Sequence, residues 1–330
     1  MCCVLALGAS AATRPHYGGT LRVEIRESFE VPDPPQTGAS LAQLPPAFAP
    51  AQWDAPRHAI YSADDKAPGG RPFLDAIEIQ MDRRLADQSI DLDLGKADLV
   101  EIDATEPRRN PQARNRIWSS SPVRLLLLVF GARIEDPRIR EALALAVDRT
   151  AIHNVLLQRQ GEISGGLLPQ WLSGYAFLFP VAQDAARART LLAAVPPAAR
   201  TLSLGVPDPA LRRIADRIAL NARDAGLALS AAPLNSIADL RLIEVRIESP
   251  DPSRALAQLA AALALPEPPR ADSPEALYAA ERALLEGFRV VPLFHLPGVY
   301  GVNPRINGGP GITPLGEWRF ENLWLEPPRP

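Results

Sequence analysis

From residue 70 onward, strand-like phrases take turns with helical ones, and this alternation constrains the fold more than any other feature of the chain. "AIEIQM" (76–81) alternates apolar and polar residues as a half-buried strand does. "RRLADQSIDLDLGK" (83–96) then reads as a short helix stopped by Gly95, and "ADLVEI" (97–102) returns to strand. A strand–helix–strand unit of this kind calls for a parallel sheet, because the crossover returns the chain to the starting edge. The pattern recurs downstream. "VRLLLLVFG" (123–131) reads as a buried strand, "TLSLGV" (201–206), "LALSAA" (227–232) and "LRLIEVRI" (240–247) as further strands, and "DPALRRIADRIALNARDAG" (208–226) as a helix. Upstream, "GGTLRVEIR" (18–26) is strand-like, and after 288 the chain becomes short strand-like pieces joined by Gly and Pro. The stretch 31–52 carries no periodicity and is expected to be a linker. Helices on the faces of a largely parallel sheet follow, an α/β architecture.

The helix "DPRIREALALAVDR" (136–149) shows the local physics. Asp136 is placed to cap the free N–H groups, and Pro137 suits the first position, where its missing N–H goes unmissed. Ile139, Ala142, Leu143, Ala146 and Val147 fall on one stripe. Asp148 or Thr150 is placed to cap a second helix, expected to run to Gly161.

Composition removes whole classes of function. A chain of 330 residues, 47% hydrophobic, has material for a core in two lobes. Its net charge of −3 gives no electrostatic footprint for nucleic acid. The apolar runs at 125–130 and 255–265 are too short to cross a bilayer. Both cysteines, Cys2 and Cys3, stand in "MCCVLALGASAA", whose small apolar residues resemble part of a secretion signal over 1–16, cleaved near Ala12. The four histidines (16, 58, 153 and 295) have no HxxxH or HExxH spacing, so no metal is expected. There is no GxSxG elbow and no glycine-rich phosphate loop leading into a helix, hence no expected nucleophile or cofactor. A two-lobed α/β chain without a catalytic constellation reads as a binder, not an enzyme.

The wording is more specific than the physics. "DPRIREALALAVDRTAI" (136–152) resembles a signature helix of the extracytoplasmic solute-binding proteins of ABC importers, the family that takes oligopeptides, dipeptides and nickel (family 5). "GGTLRVEI", "GRPFLDAIEI" (70–79), "LGKADLVEI" (94–102), "GEISGGLLPQWLSGY" (161–175), "RLIEVRIESPDPSRAL" (241–256) and "VVPLFHLPGVYGVNPRI" (290–306) resemble further phrases of that family, in its order. One departure stands out. Before the phrase like "FAPAQWDAPRHAIY" (48–61), family members carry a large strand-rich segment that this chain lacks.

The resemblance implies a two-lobed, periplasmic-binding-protein-like (type II) fold with a reduced first lobe. Residues 17–122 and 272–330 would form lobe I and 123–271 lobe II, with crossings near Pro122 and across the Pro-rich 265–274. It implies a periplasmic protein that binds a peptide or other small-molecule ligand between the lobes and delivers it to permease subunits. Carried over onto "RIESPDP", the acidic residue that meets a peptide's amine falls on Glu248, although Val245 stands where the family usually has Trp. Trp171 and Tyr175, in the loop after the signature helices, and His295 are the other candidate ligand contacts. The alternatives are a reduced relative serving as an interaction module without a transport ligand, and a secreted hydrolase.

Overall fold

One sheet runs through both halves of the molecule because two of its strands are long enough to serve each. The computed structural model describes residues 14–26, 28, 47–54, 57–102, 116–175, 178–232 and 237–326; the expected signal segment lies almost wholly outside them. The strands are β1 (Thr20–Glu24), β2 (Phe48–Asp54), β3 (His58–Ala63), β4 (Ala76–Gln80), β5 (Leu99–Glu101), β6 (Arg116–Phe130) and β7 (Glu162–Ile163). After them come β8 (Thr201–Gly205), β9 (Ala228–Ala231), β10 (Leu240–Arg246), β11 (Val290–Val302), β12 (Ile306–Asn307) and β13 (Trp324–Leu325). The helices are α1 (Leu85–Asp93), α2 (Pro137–Ala146), α3 (Arg149–Ala151), α4 (Gln170–Ser173), α5 (Ala185–Ala193), α6 (Arg212–Ala225), α7 (Pro252–Ala262) and α8 (Pro274–Leu285).

The main sheet has the order β2-β3-β4-β1-β5-β11-β6-β10-β8-β9, with β7 added beside β11. Both β4 and β5 lie parallel to β1, so the unit β4–α1–β5 is the expected crossover, with β1 between its strands. At the other end β10, β8 and β9 are mutually parallel. Between these parallel blocks run β6 and β11, antiparallel to each other from Val290 opposite Val129 to Val302 opposite Arg116. Midway, Pro297 faces Pro122, and the register shifts on both sides of Pro297. Two prolines without N–H groups cannot continue the ladder, so the pair loosens and bends there.

Each half has its own core. In lobe I, Leu21, Val23, Ile77, Ile79 and Leu99 pack with Trp118, Tyr300 and the returning tail, including Trp318 and Phe320. In lobe II the sheet is covered on both faces. Leu126 and Leu128 pack against α2, α5 and α6, while Leu125 and Leu127 pack against α7 and α8. The caps follow the sequence: Asp136 accepts from Arg138 N at 2.9 Å, and Asp148 accepts from Ala151 N at 2.8 Å. In α6 the buried Ile214, Ile218, Ala222 and Ala225 recur at helical spacing, and Gly226 closes the helix at φ +97°.

Three expectations are corrected. The linker read over 31–52 ends in a strand: β2 pairs with β3, with a bulge between Pro50 and Gln52. Proline is tolerated there because β2 is an edge strand, and the bulge hides the alternation. The second helix of the signature pair does not reach Gly161. It widens at Ile152–Leu156 and ends there, with Gln158 and Arg159 in the left-handed region. The return crossing does not lie in 265–274. Beyond that segment α8 buries Leu277, Leu284 and Leu285 in the α7 core, so the chain passes back to lobe I at Pro297.

Candidate functional site

Strands β1 and β5 of lobe I and β8 of lobe II point their C-terminal ends at one another, and a cavity of about 70 Å³ lies between them. In open parallel sheets this is where ligands bind, because the loops beyond the strand ends are free to carry function. Arg26, Glu101, Ser120, Arg124, Asp208, Glu244, Arg246, Tyr300 and Gly316 are among its walls.

Arg26, two residues past β1, is fixed by its own backbone: its N–H donates to Glu101 Oε2 at 2.7 Å. Its Nη1 donates to Asp208 Oδ2 at 2.8 Å, an ion pair that joins the two lobes directly. Its Nε is buried and makes no hydrogen bond among the described residues, but it stands 3.5 Å from Glu101 Oε2, a second ion pair within lobe I. Asp208 begins the turn that leads into α6. Its Oδ1 accepts from Ala210 N at 2.9 Å, and Pro209 occupies the first helical position, so Oδ2 is held toward Arg26.

Arg124 and Glu244 lie on neighbouring strands, joined by two hydrogen bonds of 2.5 and 2.6 Å from Nε and Nη2. Burial would lower the Arg124 pKa, and the Glu244 carboxylate more than reverses this, so the guanidinium stays charged. Arg246 stands directly opposite Arg124 in register. Like charges so placed repel. Glu244 relieves the repulsion from one side, and Arg246 Nη2 turns to Leu315 O at 2.8 Å. The floor is tied by Ser120 Oγ, which accepts from Gly298 N at 2.8 Å. The wall thus carries Arg26, Arg124 and Arg246 against Glu101, Asp208 and Glu244, a balanced set.

None of the four residues singled out from the sequence is among the described residues lining this cavity. Glu248 is half-buried, two residues beyond Arg246. Trp171 is 42% exposed and donates from Nε1 to Pro122 O at 3.0 Å, bracing the bend in β6. Tyr175 stacks edge-on against Tyr278 and donates its hydroxyl to the buried Glu281, whose other oxygen accepts from Leu167 and Leu168 N. His295 is buried, with Nε2 2.9 Å from Leu167 O and Nδ1 3.6 Å from Glu162 Oε1. Burial pushes its pKa down to about 4. Tyr175 and His295 do share a second, more open cavity of about 320 Å³, together with His153, Glu162 and Gln170. Among the described residues no group of three or more His, Cys, Asp or Glu is arranged to hold a metal.

Sequence reading missed Arg26, Glu101, Arg124, Asp208 and Glu244. One signal was present: Arg124 is an ionisable residue inside the otherwise apolar phrase "VRLLLLVFG", which burial tolerates only with a partner.

The model of the bacterial extracellular solute-binding proteins, family 5, matches residues 47–267. The chain belongs to this family. Comparison with the curated proteins finds no match. Among solved structures, the chain is similar to NikA from Staphylococcus aureus in complex with Ni(L-His)2, with a TM-score of 0.72 at 15% identity over 85% of this chain and 68% of that one. It is also similar to the dipeptide-binding protein from Pseudoalteromonas in complex with Met-Leu (TM-score 0.71, 13% identity, 85% and 64% of the two chains). A third is the oligopeptide-binding protein AppA from Bacillus subtilis in complex with a nonapeptide (TM-score 0.66, 14% identity, 85% and 66%). At such identities the likeness concerns the fold, which is periplasmic-binding-protein-like. The family 5 chain described here spans about two thirds of the length of these proteins, in keeping with the reduced first lobe. No helix among its described residues is long and apolar enough to cross a membrane.

Proposed function

We propose that this chain is the solute-binding component of an ABC importer. It takes a peptide or a related small solute between its lobes and offers the closed form to permease subunits. The observation that carries the reading is the cavity at the strand ends of both lobes, walled by paired charges and spanned by Arg26–Asp208 at 2.8 Å. A bend at facing prolines supplies the flexible passage that closure around a ligand needs. The family and the peptide-bound relatives support the ligand class. In this reading residues 1–16 direct export to the periplasm. The resemblance assigns the ligand's amine to Glu248, and the cavity offers Glu101, Asp208 and Glu244 as well.

Isothermal calorimetry with a panel of free amino acids and di- to pentapeptides tests the proposal. Saturable binding of at least one member is expected, with closure seen as a smaller radius in X-ray scattering or as altered Trp fluorescence. A panel without a single binder would refute it and favour the interaction-module reading, which the shortened first lobe motivates.

A further inference from the structure

We infer that lobe II holds a second ligand site, separate from the cleft between the lobes: the cavity of about 320 Å³ beside β7, which takes a small primary amine, as its ammonium ion, between Glu162 and His295. The two cavities share no lining residue. The walls of this one come from residues 153–175 and His295, so the site is complete within lobe II and stands whether or not the cleft binds a solute.

The register of β7 on β11 builds the site. Glu162 stands directly opposite His295, which puts both side chains on one face of the pair. His295 is 1% exposed. Its Nε2 lies 2.9 Å from Leu167 O, and a carbonyl only accepts, so the proton of the neutral ring is on Nε2. Nδ1 is then a lone pair, and it faces Glu162 Oε1 at 3.6 Å. Acceptor meets acceptor, beyond hydrogen-bond reach. The rest of the wall does not supply a donor. Ser164 Oγ gives its hydrogen to Gly166 O at 2.6 Å, the Tyr175 hydroxyl gives its own to Glu281, and His153 Nε2 is turned to Gly161 O at 3.2 Å. No lysine or arginine is among the described residues that line the cavity. Burial raises the Glu162 pKa, and the Gln170 N–H, 3.3 Å from Oε1, offsets this only in part. The side chain remains 34% exposed, so a solute reaches it from water.

These groups define the chemistry of the occupant. An anion would meet a carboxylate and lone pairs. A neutral alcohol bridges the two acceptors but leaves the Glu162 charge without a partner, which a partly dry site disfavours. An ammonium ion supplies both needs, hydrogens for Oε1 and Nδ1 and a charge for the carboxylate, in charge-assisted bonds. A metal ion is not served, since no three His, Cys, Asp or Glu among the described residues are arranged around one. Ile163, Leu168 and the Tyr175 ring offer apolar wall to the ligand's carbon part. The volume falls at the small end of the range for small-molecule sites, about 300–1,000 Å³. The backbone beside the cavity agrees with this reading. His153 sits on the widened turn Ile152–Leu156, and Gln158 and Arg159 just beyond it have φ of +50° and +64°. Widened turns and left-handed non-glycine residues gather at functional sites.

Nitrogen-15 NMR titration of the full chain with butylamine and benzylamine tests the inference, with 1-butanol, butyrate and N-acetylbenzylamine as controls. At least one amine should bind saturably, with a Kd of about 1 mM or below, and should move the Nδ1 signal of His295 while Nε2 stays protonated. The alcohol and the acetylated amine should bind at least tenfold more weakly, and butyrate not at all. Glu162→Gln keeps the size of the side chain and should weaken the amine tenfold or more. Glu162→Asp should recover part of the affinity, which a merely misfolded variant would not show. The inference is overturned if neither amine binds, if the alcohol binds as tightly, or if Glu162→Gln leaves the amine's affinity unchanged. It is equally overturned if the amide signals of Arg26 and Asp208 move while those of His295 do not, since the amine would then sit in the cleft. The peptide panel reads the cleft and this titration reads lobe II, so the failure of either reading is seen separately.

Discussion

Removing the Asp98 carboxylate should loosen lobe I specifically. Asp98 is fully buried at the start of β5, and its two oxygens collect five hydrogen bonds. Arg22 donates from its backbone N–H, Nε and Nη2 at 3.0–3.1 Å, and Arg305 from Nε and Nη2, both at 2.6 Å. The residue thereby ties β1, β5 and the chain returning from β11 into one unit. Breaking a buried pair by deleting one partner costs about 3–5 kcal/mol. Here the side chains of Arg22 and Arg305 are 35% and 32% exposed, so their guanidinium groups can turn to water. The low end applies, about 3 kcal/mol for Asp98→Ala. With a urea slope of about 3 kcal/mol per molar, the transition that reports lobe I should fall by about 1 M. Trp fluorescence is a suitable probe, since Trp118, Trp318 and Trp324 lie in lobe I. The pH dependence has a definite sign. Burial alone would raise the Asp98 pKa, but the hydrogen bonds from Arg305 and Arg22 outweigh it, so the folded value lies below the usual 3.8. The stabilisation is therefore complete above 3.8 and is lost as pH falls through the folded value. The gap between wild type and Asp98→Ala should be constant from pH 5 to 7 and shrink below about 4. An unchanged midpoint at pH 7, or a gap that persists undiminished at pH 2, would refute the reasoning.

Other consequences are checked with simpler measurements. His295 should stay neutral, with its proton on Nε2, down to about pH 4; a nitrogen-NMR midpoint near the ordinary 6.5 would contradict its burial. Because the folded pKa is depressed, the associated stability is present above 6.5 and is lost as pH falls through about 4, roughly 3 kcal/mol in all. Gly161→Ala should cost about 2 kcal/mol or more, since φ is +71° and the new Cβ would stand 2.3 Å from His295 O. Gly174→Ala, at φ +77° with open space around it, should cost only about 1 kcal/mol. Equal costs in urea unfolding would mean that the contact with His295 is not as described.

What the sequence by itself determined is the local grammar. Strands β1, β4, β5, β8 and β10 and helices α1, α2 and α6 were legible because each has a complete period and chemical stops, such as Asp136–Pro137 before α2 and Gly226 after α6. The family was legible for the same reason, since its phrases are caps, turns and core stripes kept in order. Where local signals are weak the reading failed. Pro50 and a bulge disguise β2, and the widened turn after Ile152 shortens the second signature helix. The candidate site was hardly legible. The Arg26–Asp208 pair spans 182 positions and the Arg124–Glu244 pair 120, and no local pattern encodes such a meeting. His295 is buried against Leu167 O and Tyr175 donates to Glu281, and both line the second cavity, not the one between the strand ends. Only the tertiary structure decided this. Which charges face one another across a cleft depends on where β6 and β11 bend and how the two parallel blocks are set against them, and sheet order is a property of the whole chain.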